Sequence, residues 1–214
     1  MLIDIHIHTK EYSSCSDIDL EEAIVKAKSI GLDGICITDH ESKDIADKAM
    51  ELSKKHDFLI IVGVEILTYE GDLLVFGLEE VPKEKMSANE LISLVSRAGG
   101  IAISAHPYRD NGRGMGDNIR KLDGLSGIEV FNGNTKLFQN IKAFDLAKEL
   151  SIPCLGGSDA HRIERIGRCA TLFPDGIRDE KDLIDAIKHR KVSPVKCVDI
   201  NNFQEIKCLK EARM

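Results

Sequence analysis

The chain has 214 residues, 43% hydrophobic and 30% charged, and this balance excludes a disordered or fibrous protein. A net charge of −7 with 5% aromatic residues and no Trp argues against an extended nucleic-acid partner. No apolar run approaches the ~20 residues that cross a bilayer, and the first residues lack the pattern of a signal peptide. The six cysteines contain no C-x-x-C pair, so we expect a soluble, cytoplasmic protein with reduced thiols and no membrane partner.

Short apolar runs alternate with amphipathic helical patterns along the chain. A hairpin is predicted where Glu70-Gly71-Asp72 separates two apolar runs, and Ser87 with Glu90 forms a capping box. The predicted elements in chain order are strand 2–7, helix 20–30, strand 34–38, helix 44–56, strand 58–64, hairpin 67–78, helix 87–98, strands 101–105 and 127–131, helix 135–150, strands 152–155 and 169–173, helix 179–189 and a short run at 192–198.

This alternation predicts parallel βαβ units. No Pro/Ser-rich linker or charge block divides the chain, so we expect one α/β domain over residues 1–198. Residues 199–214 form a weakly patterned tail that we expect to pack on the domain or trail from it.

Five of the seven histidines directly follow or end a predicted strand: His6, His8, His40, His106 and His161. The other two lie at helix C-termini, where the helix dipole is a sufficient reason for them. Catalytic groups of parallel α/β folds gather at the carboxyl ends of the strands. A closed barrel brings residues from so many strands together more readily than an open sheet, so the pattern favours a barrel.

The histidine spacing indicates a metal site. His6 and His8 are two residues apart in a strand, so both side chains face the same side. Asp159 and His161 repeat that spacing, and imidazole with carboxylate suits Zn, Mn or Fe. The candidates outnumber the four ligands of a tetrahedral zinc site, which predicts more than one metal with Glu65 as the bridge. Paired cations can activate water and stabilise the developing charge.

Five motifs carry a resemblance to a known family. They are Asp4-Ile5-His6-Ile7-His8-Thr9, Ile37-Thr38-Asp39-His40, Gly63-Val64-Glu65, Ala105-His106-Pro107 and Gly157-Ser158-Asp159-Ala160-His161. In this order they resemble the PHP family, named for polymerase and histidinol phosphatase, and residues 167–190 resemble its C-terminal continuation. The resemblance implies a distorted (βα)7 TIM-like barrel, a site of two or three divalent metal ions, and phosphoester hydrolysis.

The resemblance also implies roles for individual residues. One metal would be held by His6, His8, Glu65 and Asp159, a second by Glu65 and His106, and a third or peripheral one by His40 and His161. Asp17 is the candidate for a further ligand that many members place shortly after the first motif, here at a longer spacing. The implied catalytic residues are Glu65, His106, Asp159 and His161.

Other polar residues are predicted to support the site or bind substrate. Asn132 stands near the point where some family members have a histidine, and we expect it to bind substrate or water. Asp39 is expected to support the ligands rather than join them. Arginine binds phosphate in a fork geometry, which makes four residues candidate phosphate ligands: Arg109, Arg162, Arg165 and Arg168. The alternative is a solvated charged face, because carboxylates lie among them.

The leading hypothesis is a metal-dependent phosphoesterase in which a metal-bridging hydroxide attacks the phosphorus of a small substrate. The substrate would be a phosphomonoester, such as a nucleotide or a histidinol-phosphate-like compound, or a small phosphodiester. A metal-binding regulatory module without turnover is one alternative. An amidohydrolase is another, although that family usually bridges its metals with a modified lysine, and here Glu65 occupies that place.

Overall fold

The computed structural model describes residues 1–199 and 202–207. Within them the strands are β1 (Leu2–Ile7), β2 (Gly34–Ile37), β3 (Leu59–Val62), β4 (Val64–Leu67), β5 (Asp72–Phe76), β6 (Ile101–Ser104), β7 (Gly127–Asn132), β8 (Cys154–Gly157), β9 (Cys169–Leu172), β10 (Ser193–Asp199) and β11 (Asn202–Glu205). The α-helices are α1 (Leu20–Ser29), α2 (Ala46–His56), α3 (Ala88–Arg97), α4 (Leu137–Glu149) and α5 (Glu180–Lys188). Two short 3₁₀ helices span Gly116–Lys121 and Ile163–Arg165.

The strands form two mixed sheets rather than one continuous barrel. One sheet has the order β11-β10-β9-β1-β2-β3 and the other β4-β5-β6-β7-β8. Two isolated parallel bridges connect them, between Ile7 and Ala160 and between His40 and Glu65. The described residues thus form one α/β domain, but the predicted closed barrel does not appear as an unbroken ladder.

A glycine explains where the ladder breaks. The predicted strand 58–64 is divided into β3 and β4 at Gly63, whose N–H donates to the Ile37 carbonyl at 2.9 Å. A Cβ atom at this position would lie 2.5 Å from Cε1 of Phe76, so only glycine allows this close approach. Beyond it, β4 and β5 form the predicted hairpin, and their antiparallel pairing makes the second sheet mixed.

The two sheets share a buried core. One cluster of buried residues takes side chains from both sheets, among them Ile5, Cys36, Phe76, Ile103 and Leu155, together with the apolar face of α5. Burial of such side chains contributes about 1.5–3 kcal/mol each. Two further clusters pack α1 and α2 on the first sheet and α3 and α4 on the second.

Local signals account for the starts of α1 and α3. Asp19 caps α1 by accepting hydrogen bonds from the N–H groups of Glu21 and Glu22, and Ser87 and Glu90 form the predicted capping box of α3.

No helix among the described residues is long and apolar enough to cross a membrane. Five cysteines are free thiols in this part of the chain, whereas Cys208 lies outside it.

The boundary predicted at residue 198 falls inside β10. β11 pairs antiparallel with β10, and Ile206 after it is buried. Residues 200–201 and 208–214 lie outside the described residues, so the predicted tail over 199–214 stays a prediction in that part.

Candidate metal centre

Seven of the eight predicted metal ligands come together at one end of the two sheets. His6 lies in β1, His8 directly follows that strand, and Glu65 lies in β4. His40 follows β2 and His106 follows β6, whereas Asp159 and His161 both follow β8. Four groups of possible ligand atoms lie within 4.8 Å of one another: His6/His8/Glu65, His6/His106/Asp159, His8/His40/His161 and Glu65/Asp72/His106.

Glu65 lies at the centre of this cluster with ligands on both sides. Its Oε1 is 2.9 Å from Nε2 of His106 and 3.6 Å from Nε2 of His6. Its Oε2 is 2.9 Å from Nδ1 of His40 and 3.4 Å from Nε2 of His8. A carboxylate whose two oxygens face different imidazoles has a geometry that suits a bridging ligand.

Asp159 closes the cluster from the other sheet edge. Its Oδ1 is 3.5 Å from Nε2 of His6, 3.4 Å from Nε2 of His8 and 3.4 Å from Nδ1 of His161. Asp159 has a φ of 51°, in the left-handed region. Its conformation is sparsely populated by non-glycine residues and is typical of functional sites.

The ligands divide into an inner and an outer group. The inner group (His6, His8, Glu65, His106 and Asp159) is at most 2% exposed. The outer group (His40 and His161) has side chains 27% and 23% exposed. The outer rings flank His8, with centroids 4.4 and 4.3 Å from its own.

Two buried carboxylates were not assigned as ligands from the sequence. Asp72 begins β5, with Oδ2 3.7 Å from Nε2 of His106 and 2.6 Å from Nε of Arg113, which donates to it. Its Oδ1 is buried and has no hydrogen-bond partner. The sequence placed Asp72 in a turn. Its position directly before an apolar run could have indicated a residue at a strand end. However, the register that aligns β5 with Glu65 depends on the fold.

Glu129, within β7, lies behind the ligands. Its Oε1 is 2.9 Å from Nδ1 of His6, and its Oε2 accepts from the His106 backbone N–H at 2.9 Å. Donation from Nδ1 leaves Nε2 of His6 as the free nitrogen that faces the cluster. Glu129 therefore orients a ligand.

Asn132 is 1% exposed and links several site residues. Its Nδ2 donates to Glu129 at 2.9 Å and to Asp159 at 3.3 Å, and its Oδ1 accepts from Arg109 at 2.6 Å. Arg109 also pairs with Asp159, and its Nε donates to Oγ1 of Thr135 at 3.0 Å. Arg109 and Asn132, both predicted to bind substrate, thus lie at the cluster.

Other predicted residues lie behind or away from the centre. The carboxylate of Asp39 accepts from Thr9 and Ser13, which is the supporting position expected for it. Asp17 is exposed and belongs to none of the ligand groups found in residues 1–199 and 202–207. None of Arg162, Arg165 and Arg168 lines the pocket of about 400 Å³ that opens onto the cluster.

The electrostatics of the cluster favour a cation. Burial lowers the pKa of His8 to about 4, so this imidazole is neutral at physiological pH. Burial alone would raise the pKa of Glu65 and of Asp159, but His6 and neighbouring donors outweigh it and lower both. Burial and the charge of Glu65 raise the pKa of Asp72 to about 6. The carboxylates in turn outweigh the burial of His6 and raise its pKa, so a metal ion bound here would displace the proton of this imidazole.

The residues fit divalent metal ions. Nε2 of His6 and Nε2 of His8 are 3.0 Å apart and buried, and two such nitrogens at this distance need a proton or a metal between them. The unpartnered Oδ1 of Asp72 adds a buried oxygen donor. Imidazole and carboxylate donors in this mixture suit Zn, Mn or Fe.

Comparison with known proteins gives the family. Residues 4–111 match the PHP domain and residues 138–192 match its PHP-associated C-terminal region. An uncharacterized protein of Methanocaldococcus jannaschii, MJ1587, is 34% identical over 163 residues, which are 70% of this chain and 94% of that protein. The chain belongs to the PHP family, and its clustered imidazoles and carboxylates could hold metal ions.

Two solved structures share the fold. A protein from Bifidobacterium adolescentis, provisionally assigned as a metal-dependent phosphoesterase, has a TM-score of 0.67 at 18% identity, covering 88% of this chain and 96% of that one. An amidohydrolase from Chromobacterium violaceum has a TM-score of 0.64 at 17% identity, covering 94% and 99%. At these identities the likeness concerns the fold.

Proposed function

We propose that this protein is a metal-dependent phosphoesterase that hydrolyses a small phosphorylated substrate, a phosphomonoester or a small phosphodiester. The observation that carries the proposal is the position of Glu65, whose two oxygens face imidazoles on opposite sides. Such a bridging carboxylate suits paired divalent ions, which when bound supply an activated water and neutralise the charge of a transferring phosphoryl group. Two ions are proposed within the inner group, and a third beside the outer one.

The chain's own residues would position the substrate and control protons. Arg109 lies at the pocket with its guanidinium held by Asn132 and Thr135, so it can donate to a phosphate oxygen without losing its orientation. Arg113, paired with Asp72, lines the same pocket. His161 is partly exposed at the same pocket and would hold the third ion together with His40.

The reaction balances with water as the only co-reactant. The water oxygen forms a bond to phosphorus, the ester P–O bond breaks, and the leaving oxygen takes up one proton. A pocket of about 400 Å³ suits a small substrate. We further propose that the two sheets are an opened form of the family's distorted (βα)7 barrel, and that the protein acts in the cytoplasm, away from membranes and extended nucleic acid.

An amidohydrolase is the second candidate, supported by the His-x-His motif of β1 and by the fold shared with the Chromobacterium protein. The carboxylate bridge at Glu65, in place of the lysine usual in amidohydrolases, favours the phosphoesterase. A binding module without turnover is the third candidate, and it requires the ligands but no reaction.

Metal analysis with a matched substrate panel tests the proposal. We expect purified protein to hold two or three divalent ions per chain and to hydrolyse phosphate esters but not the corresponding amides. Turnover of amides alone would identify the amidohydrolase. A fully metal-loaded protein that hydrolyses neither class would identify the binding module.

A further inference from the structure

A second cavity lies beside the metal centre, which we call the lateral groove. It has a volume of about 570 Å³ and lies between α1, the first turn of α4, the segment 164–169 and the end of β10. Its apolar lining includes Ile30, Phe131, Ile166 and Cys169. The groove is therefore larger than the pocket over the metal ligands and has apolar surface that could hold a flat or aliphatic group.

The groove and the metal pocket share a wall. Asn132 and Thr135 line the groove, and both hydrogen-bond to Arg109, which lines the metal pocket. Asn132 also reaches Asp159 at 3.3 Å. A molecule with one end at the metal ligands could extend over this wall into the groove.

Three cationic side chains from separate elements line the groove: Lys26 of α1, Arg168 before β9 and Lys196 of β10. None of them forms an ion pair or side-chain hydrogen bond with another residue in the described ranges. In the metal pocket, by contrast, Arg109 and Arg113 are each paired with a buried carboxylate. The groove thus offers cations that are free to meet a ligand.

The groove also has acidic residues, but at its exposed edge. Glu164 and Asp199 are exposed, as is Arg168, whereas Lys26 and Lys196 are half-buried beside the apolar lining. The first turn of α4 adds the positive end of a helix dipole on the same side. The balance of charge over the apolar surface is therefore cationic.

We propose that the lateral groove binds the leaving group of the substrate, and that this group has an apolar body with a negative charge of its own. The proposal rests on the phosphoesterase function and defines its substrate class. The scissile phosphate would lie at the metal ligands, the apolar body on Ile30 and Leu137, and the second anion within reach of Arg168 and Lys196. Arg168, expected from the sequence to bind phosphate, would then bind an anion at a distance from the reacting centre.

Two phosphate esters that differ in one charge test the proposal. The metal-loaded protein is assayed with 2-naphthyl phosphate and with 6-sulfo-2-naphthyl phosphate. Lys196→Glu and Arg168→Glu are expected to lower kcat/KM for the sulfonated ester at least about tenfold, mainly through KM, and to change it for the uncharged ester less than about threefold. Lys196→Ala should give a smaller loss. Lys191→Glu, an exposed change just before β10 and outside the groove, is the matched control.

A binding measurement separates this proposal from the proposed reaction. Calorimetric titration of the metal-loaded protein with 2-naphthalenesulfonate requires no turnover, and we expect binding that Lys196→Glu weakens and Lys191→Glu does not. Binding without any phosphoester turnover would reject the reaction but keep the groove as an anion site. Equal losses for both esters, or sulfonate binding indifferent to Lys196 and Arg168, would overturn the groove proposal.

Discussion

The inner and outer ligand groups of the metal centre differ in how their side chains are held. His6 is fully buried and is fixed through Nδ1 by Glu129, whereas His161 is 23% exposed and its Nδ1 faces Asp159, including the backbone carbonyl at 3.1 Å. Buried ligands with fixed partners are preorganised, so binding a metal costs little reordering. Exposed ligands exchange more freely with water and protons. For the proposed ions, the comparison predicts that those in the inner group are held tightly and that the outer one exchanges more readily.

The strongest test of the inner group is Glu65→Gln. The change removes the charge shared by both sides of the cluster while keeping the size of the side chain. We expect lower metal occupancy and a loss of hydrolysis on the order of 10²- to 10³-fold or more. Elemental analysis and steady-state kinetics are the measurements, with circular dichroism as the control for folding. Near-native activity with full metal content would show that Glu65 is not the bridge.

Asp4 tests what holds the inner group in place. Its buried carboxylate accepts hydrogen bonds from the backbone N–H groups of His6, Ser158 and Gly167, and so connects β1 to the segments that follow β8. Burial raises its pKa to about 6 from 3.8, despite these donors. A raised carboxyl pKa adds stability that is complete below pH 3.8 and is lost as pH rises through 6, up to about 3 kcal/mol in total.

Urea unfolding of the metal-free protein measures this effect. We expect the free energy of unfolding of the parent to fall relative to that of Asp4→Asn as pH rises from 4 to 7. Histidine titration is common to both proteins and cancels in the difference. A difference that stays constant with pH would show that Asp4 does not titrate in this range.

Arg109 borders the inner group and contacts Asp159. If it donates to a phosphate oxygen, Arg109→Ala should lower kcat/KM by about 10- to 150-fold, and Arg109→Lys by less because the charge remains. Metal content should be unchanged in both variants. Kinetics within twofold of the parent would remove Arg109 from substrate binding, and loss of metal would assign it to the centre's structure instead.

The smallest effect is expected in the outer group. His161→Ala should release about one metal ion per chain and lower activity by roughly 10- to 100-fold, leaving the inner metals bound. His6→Ala is the matched change in the inner group and should reduce total metal content more. Stepwise chelation monitored by elemental analysis gives a second measure, with the outer ion released first. Simultaneous loss of all ions in both variants would show a single cooperative centre.

Much of the site was predictable because its ligands occupy short local motifs. His6 and His8 share one face of a strand wherever that strand is placed, and strand ends collect ligands in any parallel arrangement. Asp72 and Asn132 were harder to interpret, because their roles depend on contacts with residues 23 to 41 positions away. The division at Gly63 was also not visible, since the close approach of Phe76 that requires glycine is a tertiary contact.

The two isolated bridges that connect the sheets have a consequence for how the chain folds. Each bridge lies at candidate metal ligands: Ala160 stands between Asp159 and His161, and the second bridge joins His40 to Glu65 itself. The second sheet is built from the continuous segment 64–157, whereas the first unites strands from both ends of the chain. Contacts between distant segments form late because their loops are costly to close. The ligand set can assemble only after that closure, so metal capture would report the completion of folding.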